Sequence, residues 1–159
     1  MANPERDEKM NRAPLTRVVV VDDSPSMRLL LEKMINAEHD MRVVGSAPDS
    51  LAARELIRQL QPDVVTLDIE MPGMDGLDFL ERLMRLNPLP VLMISSRTEE
   101  GSEHTLRALE LGAVDVICKQ SLTDKGGLSA MAKEVTAKIR LAGSSAGQFK
   151  RLPPLQVVS

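Results

Sequence analysis

Apolar positions along the chain fall into two alternating patterns. Val18, Val19, Val20 and Val21 form an unbroken β-branched run, and Met27, Leu30, Leu31, Met34 and Ile35 then recur at i, i+3, i+4, i+7 and i+8. The run reads as a buried strand and the stripe as one face of an amphipathic helix. Ser24 stands where a capping hydroxyl belongs, and Pro25 suits a first turn whose amides have no intrahelical acceptor. The alternation then repeats. Met41–Ser46 is a weaker strand, and Ala53, Leu56, Ile57 and Leu60 mark a helix after Pro48 and Asp49. Val64–Leu67 is a third strand, followed by a short helix over Leu77–Leu86 that stops before Pro88. Val91–Ile94 is a fourth strand, with a helix at about Ser102–Leu111 closed by Gly112. Val114–Cys118 is a fifth, and Leu128, Met131, Val135 and Ile139 mark a last helix.

Strands alternating with helices build a parallel sheet covered on both faces. The fold class is therefore α/β, a doubly wound (βα)5 unit. The first, third and fourth strands are almost wholly apolar, as central strands are. Arg42 and Asp115 interrupt the second and fifth, as edge strands tolerate. This selects the strand order 2-1-3-4-5 over the six-strand dinucleotide order.

Composition narrows the function classes. The 159 residues carry 20 basic and 23 acidic side chains, a net charge of −3, with two Phe and neither Tyr nor Trp. A single-strand stacking platform needs aromatics and a phosphate-backbone binder needs excess positive charge, so nucleic acid is not an expected partner. One cysteine excludes an internal disulfide framework and any multi-Cys zinc site. No apolar run approaches the roughly 20 residues of a membrane helix, and the first fifteen residues lack a signal-peptide core. A cytoplasmic chain without membrane insertion is the default. Residues 1–15 read as a disordered lead, 16–141 as the folded unit, and 142–159 as a linker or tail. The last contains Gly143, Ser144, Ser145, Gly147, Pro153 and Pro154.

In such a sheet, ligands bind beyond the carboxyl ends of the strands, at the switch point between the first and third. Asp22 and Asp23 follow the first strand, Asp68 the third, Ser95 and Ser96 the fourth, and Lys119 the fifth. Carboxylates crowded together repel, and a hard divalent cation with oxygen ligands relieves them. Mg²⁺ fits, and without His or Cys in the set zinc does not. One carboxylate beside Mg²⁺ can act as a nucleophile toward a phosphoryl group, giving an aspartyl phosphate. Any single strand-end Asp is more often a cap or turn residue. It is the convergence of all these positions on one edge that speaks against that reading.

The segments Val20-Val21-Asp22-Asp23-Ser24-Pro25-Ser26-Met27-Arg28, Asp68-Ile69-Glu70-Met71-Pro72-Gly73-Met74-Asp75-Gly76, Met93-Ile94-Ser95-Ser96 and Lys119 together resemble a response-regulator receiver domain over about residues 16–141. The resemblance implies a flavodoxin-like fold with Asp68 as phosphoacceptor. It makes Asp23 a direct metal ligand, Asp22 a metal-site acid, and the Glu70 backbone carbonyl a further ligand. Ser95 would bond the phosphoryl group, Lys119 would pair with it, and Met71-Pro72-Gly73 would shape the adjacent loop. The stretch from Ser95 to Ala113 is similar to the receiver of chemotaxis protein-glutamate methylesterases. That implies a sensor histidine kinase as donor and a methylesterase catalytic domain, in cis or in trans, as target. Two positions depart from the family pattern. Gln120 replaces the proline that usually follows the lysine. Val116 stands where many receivers carry an aromatic switch residue, so output must pass through loop and helix shifts.

Two rivals are weighed. A small aspartyl phosphatase of the haloacid-dehalogenase type wants a D-x-D pair after the first strand, whereas here Asp68-Ile69-Glu70 follows the third. A pseudo-receiver that binds without being phosphorylated is motivated by Gln120 and Val116 and opposed by intact Asp22, Asp23, Asp68, Ser95 and Lys119. Elsewhere, Gly143-Ser144-Ser145-Ala146-Gly147 matches G-x-S-x-G but lacks the strand-to-helix context of a nucleophile elbow. His39 and His104 read as surface residues, Cys118 as a small buried hydrophobe, the Met residues as core filler, and Glu99-Glu100 as a solvated pair.

Overall fold

The computed structural model describes residues 15–71, 75–96, 103–119 and 127–151, with 145–151 as backbone. The elements are β1 (Thr16–Val21), α1 (Pro25–Asn36), β2 (Met41–Ala47), α2 (Ser50–Leu60), β3 (Val64–Asp68), α3 (Gly76–Leu86), β4 (Val91–Ser95), α4 (Glu103–Glu110), β5 (Asp115–Cys118) and α5 (Gly127–Arg151). The strands form one parallel sheet in the order β2-β1-β3-β4-β5, as expected, with the two charge-interrupted strands at its edges.

Helix starts follow from capping chemistry. Ser24 Oγ accepts from the Met27 amide at 3.2 Å, with Pro25 opening α1. Asp49 caps α2 through the Ala52 amide at 2.8 Å, and Asp75 caps α3 through the Leu77 amide at 2.9 Å. Each satisfies a donor the helix itself leaves unpaired.

Alternation along the strands divides the core in two. Val19, Val21, Val65, Leu67, Val91 and Met93 face the layer of α2, α3 and α4, meeting Ile57, Phe79, Leu80 and Ala108. Val18, Val20, Val64, Leu92, Ile94 and Ile117 face α1 and α5, meeting Leu31, Ile35, Met131, Val135 and Ile139. Each fully buried side chain of this kind contributes roughly 1.5–3 kcal/mol against its exposed state. Met34, Met41, Met93 and Met131 are buried in these layers, the core role expected of them.

The last helix differs from the expectation. It runs through Gly143 to Arg151, into the segment whose composition reads as a linker. Ala142 is fully buried, and Arg140 makes a bidentate pair with Asp40 below the sheet. Packing thus carries the helix past residues of poor helix propensity. The G-x-S-x-G segment lies within this helix. Among the described residues, no helix is long and apolar enough to cross a membrane. Residues 1–14 and 152–159 lie outside the described residues.

Candidate functional site

Parallel register puts the strand ends side by side. Val21 is level with Leu67, Asp68 with Ile94, and Ser95 with Cys118, so Asp22, Asp68, Ser95 and Lys119 lie along one edge. Carboxylate oxygens of Asp22, Asp23 and Asp68 all lie within 4.8 Å of one another. Asp22 and Asp68 are 1% and 2% exposed, and Asp23 is open to solvent. Lys119 Nζ bridges the buried pair, 2.9 Å from Asp22 Oδ2 and 3.4 Å from Asp68 Oδ2. The departure at Gln120, itself outside the described residues, leaves Lys119 in the cluster.

Backbone amides fix the remaining carboxylate oxygens. Ser24 N donates to Asp22 Oδ1 at 2.9 Å and Glu70 N to Asp68 Oδ1 at 3.1 Å. Asp22 Oδ2 is different. It is buried and meets no backbone amide; its partner is the Lys119 ammonium at 2.9 Å. A buried carboxylate needs opposite charge beside it, and here a single ammonium serves Asp22 and Asp68 together.

Burial raises the Asp68 carboxyl to about 7, helped by the Asp22 charge and opposed by Lys119 and the Glu70 amide; a hydrogen bond with Asp23 raises it further. Burial alone would depress Lys119, but hydrogen bonds and charge from Asp22, then Asp68, outweigh it and leave its ammonium held above the usual range. One ammonium thus balances three carboxyl groups incompletely. The donor set is all oxygen, with neither imidazole nor thiolate, and so fits a hard divalent ion such as Mg²⁺.

Ser95 is 3% exposed at the end of β4, with Asp68 on the neighbouring strand. Ser96 Oγ donates to Glu70 Oε2 at 2.7 Å, tying the β4 end to the loop after Asp68. His39 lies in the exposed turn before β2, at the opposite sheet edge. His104 lines a hollow of about 410 Å³ with Leu77 of α3 and Glu103, Leu106, Arg107 and Glu110 of α4, none of them in the cluster. Cys118 is half-buried at the end of β5, and Val116 packs against the α2–α4 side of the core. Pro72, Gly73, Glu99 and Glu100 lie outside the described residues.

Two contributors carried no role in the sequence reading. A Cβ at Gly76 would lie 2.2 Å from the Asp68 carbonyl oxygen, and the Gly76 amide donates to Ile69 O at 2.9 Å. Glycine there lets the start of α3 lie against the backbone of Asp68 and Ile69. Arg28 Nη1 donates to the Asp22 carbonyl at 2.7 Å. Both residues stand inside the quoted motifs, but a backbone approach and a cross-loop contact leave no periodic signal.

Comparison with known proteins agrees with this fold. A family model described as the response regulator receiver domain matches residues 18–131. A curated relative, the protein-glutamate methylesterase/protein-glutamine glutaminase of Nitrosomonas europaea, is 55% identical over 138 residues, 87% of this chain and 38% of that protein. The chain therefore spans about two-fifths of the length of that relative. Among solved structures, the response regulator domain of Thermotoga maritima CheB is 45% identical, with a TM-score of 0.75 over 82% of this chain and 97% of that one. A structure of the P1 domain of CheA3 in complex with CheY6 from R. sphaeroides matches with 36% identity and a TM-score of 0.66, covering 83% of this chain and 99% of that one.

Proposed function

Because the chain belongs to the response regulator receiver domain family, we propose that it is a phospho-acceptor switch of two-component chemotaxis signalling, charged on Asp68 by a sensor histidine kinase in the presence of Mg²⁺. The observation that carries this reading is the gathering of Asp22, Asp23 and Asp68 at one sheet edge, with Lys119 bridging Asp22 and Asp68.

Asp68 is the nucleophile. One of its carboxylate oxygens bonds to phosphorus, the P–N bond of a donor phosphohistidine breaks, and the electron pair stays on the imidazole nitrogen. Asp22, Asp23, Asp68 and the Glu70 backbone carbonyl are the groups that would hold Mg²⁺. When bound, the ion neutralises charge on the transferring phosphoryl oxygens. Lys119, already beside Asp68, exchanges its carboxylate contact for a phosphoryl oxygen. Ser95 supplies a hydroxyl to another, which draws the β4 end toward Asp68. The shift passes to α4 and β5 without an aromatic rotation, Val116 having no ring.

The likeness to methylesterases supports a methylesterase catalytic domain as the target, in cis or in trans. The likeness to a chain solved with a CheA3 P1 domain supports a histidine kinase as donor. On this reading, 1–15 is a lead, 16–141 the switch unit and 142–159 the connection, at work in the cytoplasm. Incubation with acetyl phosphate and Mg²⁺ should add the mass of one phosphoryl group, with no addition to the Asp68→Ala variant or in excess EDTA. An unchanged wild-type mass would leave a binding module, and steady hydrolysis of a phosphate ester would make it a phosphatase.

A further inference from the structure

Asp22 has four polar groups, and three are held by the sheet edge and its loop. Its amide donates to Ala47 O at 3.1 Å, its Oδ1 accepts from Ser24 N at 2.9 Å, and its Oδ2 faces Lys119 at 2.9 Å. The fourth, the backbone carbonyl, accepts from Arg28 Nη1 at 2.7 Å. Arg28 is half-buried in the first turn of α1. The carbonyl it holds belongs to the planar peptide that also carries the Asp23 N–H. Fixing that plane fixes the direction in which the chain delivers Asp23, the exposed member of the acidic cluster.

We propose that Arg28 is a positioning residue for the cation site: by holding the Asp22–Asp23 peptide it keeps the Asp23 carboxylate converged with Asp22 and Asp68. The inference rests on the receiver reading of that cluster. Arg28 acts on a cation in two ways of opposite sign. Its charge repels the cation, so a purely electrostatic Arg28 would weaken Mg²⁺ binding. Its hydrogen bond preorganises ligands, so a positioning Arg28 strengthens it. Loss of an outer partner of this kind costs about 10–100-fold in metal affinity.

The test is calorimetric titration of the full chain with Mg²⁺ alone, comparing wild type with Arg28→Gln, Arg28→Ala and Arg28→Lys. Positioning predicts a Kd about tenfold higher in the Ala variant and in Gln, whose amide ends two bonds short of the Arg28 Nη1 position, and a smaller loss in Lys, whose longer stem brings an ammonium nearer the Asp22 carbonyl. Amide exchange at Asp23 and Ser24 in metal-free protein should quicken in Gln and Ala, while amides of the β3–β4 core stay protected. Should Ala fail to fold, the Gln and Lys variants decide. An unchanged or lower Kd in Gln overturns the proposal, as does an unchanged exchange rate at Asp23. Such a result, with wild type still binding Mg²⁺ and accepting phosphoryl, leaves the receiver reading standing; a wild type without a Mg²⁺ response ends both.

Discussion

Asp68 is where the chemistry and the stability of this fold conflict. Its carboxyl is raised to about 7 by burial and by the Asp22 charge, against an ordinary value of 3.8. The folded state therefore holds a proton that the unfolded chain has already released. Its contribution to stability is complete below about pH 4 and is lost as pH rises toward 7. Urea unfolding of metal-free protein should show stability falling across that window. Asp68→Asn should flatten the slope and be more stable than wild type at pH 8 by about 1–3 kcal/mol. A steeper slope in the Asn variant would contradict the assignment. The place of Asp68 at the strand end was legible from the apolar run before it. Its raised carboxyl was not, because desolvation depends on what packs above the strand end.

At the scale of elements, two glycines set how closely helices approach the sheet. Gly76 opens α3 against the strand end that carries Asp68, and an added Cβ would meet backbone atoms of Asp68 and Ile69 that cannot step aside. Gly76→Ala should cost about 3 kcal/mol or more in urea unfolding and disturb Mg²⁺ binding with it. Gly143 lies on α5 where a Cβ would come within 2.9 Å of Thr16 Cγ2 and Oγ1 at the start of β1. Here the obstacle is a side chain, so the effect should change sign with its neighbour. Gly143→Ala should destabilise wild type by about 1–2 kcal/mol, yet stabilise a Thr16→Ala background by up to about 1 kcal/mol through helix propensity. Additive effects in that double-mutant cycle would refute the contact. The same packing explains why α5 outruns its sequence signal. Gly143, Ser144 and Ser145 read locally as a break, but the buried stripe through Ile139 and Ala142 keeps the helix on the sheet.

For the whole molecule, a ligand that binds only the folded state stabilises it by mass action. Mg²⁺ at about 100 times its Kd should add about 2.7 kcal/mol to unfolding stability at pH 8. The gain should shrink with falling pH as Asp68 takes up its proton, and should largely vanish in Asp23→Asn. A melting temperature indifferent to Mg²⁺ in wild type would show that the cluster holds no ion. The sequence by itself determined the (βα)5 order, the edge and centre strands, and the residues at the strand ends. Apolar periodicity and capping act over a few residues, and parallel topology then leaves few arrangements. Only the tertiary structure decided that Lys119 spans Asp22 and Asp68, that Arg28 grips the Asp22 carbonyl, and that α5 continues to Arg151. These depend on distances between groups far apart along the chain, or on packing that overrides local preference, and no local pattern records either.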